Sequence, residues 1–145
     1  MRVFVDSGIW IGALLKRDKY HKTSSQILSD VFQRCEFISI SDWILDEVVS
    51  FLTRKDWKLV KRVVQVIQQS GKVEMLTVDS GLFASAKVCL EEYPDLRLTL
   101  TDWTSLLLMK REGIREIASL AREFERVRSI AEFAFVTPIF LPPRS

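Results

Sequence analysis

Three acidic residues stand where predicted strands end or predicted helices begin. Asp6 closes the apolar run Val3-Phe4-Val5, Glu47 lies in the second turn of a predicted helix, and Asp102 follows Thr101 at the start of another. In an open α/β sheet, ligands bind just outside the carboxyl ends of the strands. A helix that connects two parallel strands begins at that same edge. We therefore expect these three carboxylates to reach one crevice.

Carboxylates held close together repel one another, and their pKa values rise unless a cation neutralises them. A set of oxygen ligands without nearby cysteine or histidine selects a hard ion, Mg²⁺ or Mn²⁺. Such an ion positions a phosphate, activates a water and stabilises the leaving oxygen. The acids therefore predict phosphodiester hydrolysis. The sequence has no glycine-rich phosphate loop, and its one histidine, His21, is expected at the surface or at a helix start.

Each acid taken alone also has a purely structural interpretation. Asp102 can stabilise a helix N-terminus, which is worth about 0.3–1 kcal/mol. Glu47 can be a surface acid of its helix. A metal site is predicted only because Asp6, Glu47 and Asp102 occur together.

The spacing of apolar residues predicts strands that alternate with helices or helix pairs. This alternation favours an α/β fold, with a parallel sheet between two helical layers, in one domain over residues 1–145. Residues 121–132 are unassigned, and a proline-rich tail at Pro142 and Pro143 follows. Strands are predicted at 2–5, 36–40, 72–78, 115–120 and 133–137. Helices are predicted at 7–15, from 21 to about 35, and at 42–54, 56–69, 80–93 and 101–112, the last capped by Thr101.

The composition is that of a soluble globular protein. Hydrophobic residues make up 48% of the chain, charged residues make up 28%, and the formal net charge of +2 does not by itself indicate a nucleic-acid partner. Cys35 and Cys89 are predicted to be unpaired and buried, which fits a reducing, cytoplasmic location. The sequence has neither a signal-peptide pattern nor the run of roughly 18 apolar residues that a membrane helix needs.

The motifs around the three acids resemble the PIN domain family. They are Val-Phe-Val-Asp-Ser at Asp6, Trp-Ile-Leu-Asp-Glu-Val-Val-Ser-Phe-Leu at Glu47, and Leu-Thr-Leu-Thr-Asp-Trp-Thr-Ser-Leu at Asp102. The resemblance covers nearly the whole chain, and the branch it is most similar to is the VapC-like toxin ribonucleases. It implies a three-layer sandwich with a five-stranded parallel sheet of order 3-2-1-4-5. It also implies Mg²⁺- or Mn²⁺-dependent cleavage of RNA, with Asp6, Glu47 and Asp102 as metal ligands.

The resemblance further implies that the protein is the toxin of a type II toxin–antitoxin pair. Such a toxin has a VapB-like antitoxin partner and commonly forms a homodimer. The chain departs from the family pattern at Ala121, where an aspartate is expected. Glu123 matches a second acid of the same motif, and we expect it either to reach the metal or its water shell, or to be a solvated loop residue.

Two other functions are alternatives to the ribonuclease, a non-cleaving PIN-like binding module and a phospho-acceptor receiver domain. Ala121 favours a catalytically weakened or inactive PIN-like domain that binds RNA or protein. A phospho-acceptor receiver domain also places acids at strand ends, but it needs paired acids near strand one and a lysine after strand five. Asp6 stands alone, and the predicted fifth strand runs into Thr137-Pro138. The receiver interpretation is therefore disfavoured.

RNA binding would also need basic and aromatic side chains near the acids. Trp10, Trp43, Trp57 and Trp103 are expected in the core or in a dimer contact, and Trp43 and Trp103 could also stack on a base. Trp57 is predicted to lie on the inward face of its helix. Candidate phosphate contacts fall into two groups: Lys16, Arg17, Lys19 and Lys22 near the end of strand one, and Arg54, Lys55, Lys58, Lys61 and Arg62 on the third and fourth helices.

Overall fold

The first strand, β1, is the centre of a five-stranded sheet, and all neighbouring strands pair in parallel. The structure is a computed structural model, and it describes residues 1–139. The strand order is β3-β2-β1-β4-β5, which confirms the predicted order. The strands are β1 (Arg2–Val5), β2 (Phe37–Ser41), β3 (Val73–Leu76), β4 (Glu116–Ala118) and β5 (Thr137–Ile139).

Seven α-helices within residues 1–139 cover the sheet. They are α1 (Ser7–Leu14), α2 (His21–Arg34), α3 (Asp42–Lys55), α4 (Lys58–Gln69), α5 (Ser80–Glu92), α6 (Leu100–Glu112) and the single turn α7 (Glu123–Arg126). Short 3₁₀ helices lie at Pro94–Leu96, Val127–Ser129 and Ala131–Phe133.

The central strand explains why helices must lie on both faces. Val3, Phe4 and Val5 are all fully buried, and successive side chains of a strand point to opposite faces. The helices contact one another in two groups: α1 with α2 and α3, and α3 with α4, form one, and α5 with α6 forms the other. The two groups and the sheet between them make the three layers predicted from the sequence.

The close packing of α1 on α2 depends on Gly12. A Cβ atom at Gly12 would lie only 2.8 Å from the Cβ of Ser24, well inside normal contact distance. The same approach lets His21 Nδ1 hydrogen-bond to the Gly12 carbonyl oxygen at 2.8 Å, which holds the first residue of α2 against α1. His21 thus begins a helix, as predicted.

The prediction for the fifth strand was wrong. The strand lies at Thr137–Ile139, and part of the predicted 133–137 segment is the 3₁₀ helix Ala131–Phe133. Phe133 is buried against Trp103, with ring centroids 5.6 Å apart, so its apolar character reflects helix packing and not strand pairing. Pro138 is tolerated in β5 because this strand is at the sheet edge.

Several smaller predictions also need correction. Thr99, not Thr101, caps α6. Trp57 was predicted to face inward, but it precedes α4 and is 69% exposed, because that helix begins two residues later than predicted. Cys35 is buried as predicted, whereas Cys89 is only half-buried, and both are free thiols. Pro142 and Pro143 lie outside the described residues. Among residues 1–139, none of the helices has the length and apolar character needed to span a membrane.

Candidate active site

Asp6 lies at the carboxyl end of β1, and both of its side-chain oxygens are hydrogen-bonded. Its own N–H continues the sheet by donating to the Ala118 carbonyl at 3.0 Å. Oδ1 accepts from the Ser7 N–H at 2.9 Å, so Asp6 is also the N-cap of α1. Oδ2 accepts from Ser119 Oγ at 2.8 Å. The carboxylate is therefore held rigidly between the ends of two neighbouring strands, with 8% of the residue exposed.

Glu47 reaches the same edge from the next strand along the sheet. β2 runs directly into α3, which Ser41 caps by accepting from the Ile44 N–H. Glu47 follows in the second turn and is exposed. Its Oε1 accepts from Ser7 Oγ at 3.0 Å. Ser7 thus bridges Asp6 and Glu47, because its backbone serves one carboxylate and its hydroxyl serves the other.

Asp102 is placed by the start of α6. It forms a capping box with Thr99: the Asp102 N–H donates to Thr99 Oγ1 at 3.1 Å, and the Thr99 N–H donates to Asp102 Oδ2 at 2.9 Å. Two orphan amides of the helix terminus are satisfied in this way. The capping interpretation of Asp102 is therefore correct as far as it goes. Only its electrostatic surroundings connect it to the other acids.

Those surroundings bring the acids into one electrostatic group. Burial, followed by repulsion from Asp102, raises the pKa of Asp6 from 3.8 to about 7, and Glu47 adds a smaller repulsion. The hydrogen bonds from Ser119 and Ser7 oppose this rise but do not cancel it. Burial also raises the pKa of Asp102, against the Thr99 hydrogen bonds, and the charge of Glu123 adds to that rise. At neutral pH, Asp6 is therefore poised between its charged and neutral forms.

Glu123 and Ala121 lie just beyond the end of β4. Glu123 is the first residue of α7 and forms an ion pair with Arg126 at 3.2 Å. Ala121 contributes its N–H, which donates to Ser119 Oγ at 3.0 Å. Ser119 accepts from Ala121 while donating to Asp6, so its hydroxyl direction is fixed.

The acids share an edge, but they do not form a ready-made coordination sphere. Within residues 1–139, no group of three or more His, Cys, Asp or Glu side chains is arranged to hold a metal ion. The three acids offer oxygen donors, and repulsion from Asp102 and Glu47 adds to the larger effect of burial in raising the pKa of Asp6, a repulsion that a cation would offset. The donor chemistry fits a hard divalent ion.

Sequence reasoning missed the two serines that hold the site together. Ser7 directly follows Asp6, and Ser119 directly follows the strand that pairs with β1. Their positions at the ends of adjacent strands were the available signal. Both residues are uncharged, so a search for charged side chains does not select them.

The chain belongs to the PIN domain family. The family profile matches residues 3–130, which include all of the acids described above and both serines. The sheet order 3-2-1-4-5 agrees with this assignment.

Several solved structures share the fold. Mycobacterium tuberculosis VapC20, a sarcin–ricin-loop-cleaving toxin, matches with a TM-score of 0.76 and 21% identity, over 86% of this chain and 94% of VapC20. VapBC2 from Rickettsia felis, bound to a DNA fragment from its promoter, matches with a TM-score of 0.66 and 13% identity, over 95% and 97% of the two chains. FitAB bound to an IR36 DNA fragment matches with a TM-score of 0.59 and 13% identity, over 98% of each chain. No curated protein sequence matches the chain significantly.

Proposed function

We propose that the protein is a divalent-metal-dependent ribonuclease that hydrolyses RNA phosphodiester bonds and acts as the toxin of a type II toxin–antitoxin pair. The observation that carries this proposal is Asp6. It is a buried carboxylate with a pKa near 7 and two other acids within electrostatic range, at the carboxyl edge of a PIN domain sheet. A purely structural N-cap would not need such neighbours.

Asp6, Glu47 and Asp102 would hold the ion, which we propose to be Mg²⁺ or Mn²⁺. When bound, such an ion supplies an activated water and charge stabilisation at the scissile phosphate. The protein's part is to fix the ligands. Ser7 and Ser119 orient Asp6, while Thr99 orients Asp102. Glu47 is exposed and so has the freedom to turn toward the other two acids.

Glu123 would act at the rim of this centre. Its charge raises the pKa of Asp102, so the two carboxylates interact across the site. If the three acids hold a metal ion, Glu123 would support it by orienting nearby water. We assign Glu123 this supporting role in catalysis.

The partners follow from the same proposal. VapC20 is a toxin, and VapBC2 and FitAB are complexes bound to DNA. These relationships support a VapB-like antitoxin partner for this chain. We also propose a homodimer in the cytoplasm, where the RNA substrate is found.

RNA cleavage under metal control tests the proposal. Wild type is expected to cleave RNA with Mn²⁺ or Mg²⁺ and to stop when EDTA is added. Asp6→Asn and Asp102→Asn are each expected to lower the rate at least about a hundredfold, since each removes a charge that stabilises the reacting centre. Asp95→Asn, an exposed acid of the Pro94–Leu96 turn, is the matched control and is expected to retain full activity. Cleavage in EDTA, or wild-type rates in both site variants, would refute the proposal.

A second candidate is a PIN-like domain that binds RNA or protein without cleaving. Ala121 favours it, because the position lacks the carboxylate that the family resemblance leads one to expect. RNA binding that persists without cleavage in any divalent metal would support this alternative. Cleavage that depends on Asp6 would exclude it.

A further inference from the structure

A groove runs along one side of α3 and begins at the acidic centre. Its volume is about 850 Å³, within the usual range for small-ligand sites. Glu47 and Thr99 form the end nearest the centre, and Arg54 lies in its wall farther along the helix. A substrate that reaches the acids therefore passes beside this groove.

Helix geometry spaces the lining residues. Trp43, Glu47, Ser50 and Arg54 recur at helical spacing, so they share one face of α3. Arg54 is seven positions after Glu47 in the sequence. At the rise of an α-helix, the two residues are about 10 Å apart along the helix axis. Arg54 therefore lies beyond the acidic centre, at a distance where it can contact a neighbouring part of an extended substrate.

The charges in the groove differ in how far they are already engaged. Arg54 is exposed, and its side chain makes no hydrogen bond or ion pair with any other residue between 1 and 139. Asp42 Oδ1 accepts from the N–H groups of Trp43 and Val78, so this acid is committed to the fold. Asp46 is exposed, and the one hydrogen bond that its side chain makes within residues 1–139 is a long 3.5 Å bond from Ser50 Oγ.

Aromatic side chains supply flat surfaces between these charges. Trp43 is half-buried and leans on Phe83, with ring centroids 5.5 Å apart and planes tilted by 49°. Phe83 thereby restrains the indole from behind. Phe51 is half-buried on the same helix, one turn beyond Glu47. Stacking of a base on such a side chain adds to affinity for single-stranded nucleic acid.

We propose that this groove holds one unpaired nucleotide of the RNA substrate, next to the scissile phosphate, and that it prefers guanine. The proposal rests on the ribonuclease function proposed above. The base stacks on Trp43, Phe51 supplies an apolar wall farther along the groove, and Arg54 contacts a neighbouring phosphate. Asp46 accepts hydrogen bonds from the base edge. Guanine offers two adjacent donors, N1–H and the N2 amino group, which match the two oxygens of one carboxylate.

The competing occupant, a cationic segment of a protein partner, fits less well. Three carboxylates line the groove, but Asp42 is engaged by two backbone N–H groups, and Glu47 accepts from Ser7 and would hold the metal in the proposed function. Asp46 is therefore the carboxylate left to attract a cationic segment, which Arg54 would repel, whereas a phosphate gains from Arg54. Asp46 repels a phosphate but not a neutral base, so the two charges orient a nucleotide in one direction. The two side chains thus specify both the kind of ligand and its register.

Binding of short oligouridines that carry a single guanine, adenine or cytosine tests the proposal, in an Asp6→Asn background with Mg²⁺. Guanine is expected to be preferred about tenfold, and Asp46→Asn is expected to reduce that preference to about twofold or less. Arg54→Gln is expected to weaken binding of all the oligonucleotides alike. It should also lower the slope of log affinity against log salt concentration by about one. Asp95→Asn and Arg115→Gln are the charge-matched controls. Both are exposed, and Arg115 precedes β4 at the opposite edge of the sheet.

The outcomes separate this proposal from the proposed function. Metal-dependent cleavage with no base preference, and no effect of Arg54→Gln beyond that of Arg115→Gln, would overturn the groove proposal and leave the ribonuclease intact. Absence of cleavage by the wild-type protein with Mg²⁺ or Mn²⁺, together with a guanine preference that needs Asp46, would support the groove and refute the ribonuclease. Tighter oligonucleotide binding by Arg54→Gln would overturn the proposal, because it would exclude a favourable contact between Arg54 and a phosphate.

Discussion

Asp6→Asn should stabilise the metal-free protein, although Asp6 is the residue we place at the centre of the site. The folded state raises the pKa of this carboxyl to about 7, while the unfolded chain keeps the ordinary value of 3.8. Between these values the unfolded state binds fewer protons than the folded state. The free energy of unfolding therefore falls as pH rises through this window. Above pH 7 the full cost of ionising the buried group is present.

The size of the effect follows from the pKa shift. A shift of about three units corresponds to roughly 4 kcal/mol at pH 8. At pH 5 the cost is about 1–2 kcal/mol, because the folded-state carboxyl is still protonated. Asparagine removes this cost and can still accept from the Ser7 N–H and pair with Ser119. The stabilisation by Asp6→Asn should therefore grow by about 2–3 kcal/mol between pH 5 and pH 8.

Urea denaturation followed by circular dichroism, in EDTA at the two pH values, measures this difference. Asp79→Asn is the control, because the pKa of Asp79 is shifted in the opposite direction to that of Asp6. The Leu82 N–H, followed by Arg111, lowers the pKa of Asp79, so its replacement removes favourable interactions at neutral pH. It should not gain stability at pH 8. If Asp6→Asn were no more favourable at pH 8 than at pH 5, the argument for a buried, mutually repelling acid group would be refuted.

Three further predictions concern the surroundings of the site and the core. Ser119→Ala should raise the pKa of the Asp6 carboxyl further and weaken Mn²⁺ binding measured by calorimetry, because it removes a hydrogen-bond donor to the charged form. Unchanged Mn²⁺ affinity would contradict this prediction. Gly12→Ala should destabilise the protein by about 1–3 kcal/mol in urea denaturation, because the new methyl group collides with Ser24; wild-type stability would show that α1 and α2 separate easily. Trp10→Ala should lower the free energy of unfolding by about 3–5 kcal/mol and Trp57→Ala by less than about 1 kcal/mol, since the first ring is fully buried and the second is 69% exposed. Equal losses of stability in thermal unfolding would indicate that Trp57 is covered in solution, as in a dimer.

The fold could be predicted from sequence because its main signals are local. Short apolar strands alternate with amphipathic helices, and Asp6 closes an uninterrupted buried strand. Parallel connections then bring the carboxyl ends of strands and the starts of helices to one edge. That topological rule suffices to group Asp6, Glu47 and Asp102 without any knowledge of distances.

The remaining errors come from tertiary packing, which local patterns do not contain. Phe133 has the apolar character of a strand residue, yet it packs on Trp103 from a 3₁₀ turn. Thr99 and Thr101 are equally good caps by residue type, and only the observed backbone distinguishes them. Ser119 shares its hydrogen bond with a residue 113 positions away, so its role could not be read from its neighbours.

The central claim is that these acids bind a divalent cation, and calorimetric titration of the protein with Mn²⁺ at neutral pH tests it most directly. We predict saturable binding by wild type, accompanied by proton release, because Asp6 is partly protonated before the metal binds. Asp6→Asn and Asp102→Asn should each weaken binding at least about tenfold, as loss of a charged ligand requires. Asp95→Asn should bind as wild type does. Equal Mn²⁺ affinity in wild type and Asp6→Asn would contradict the account.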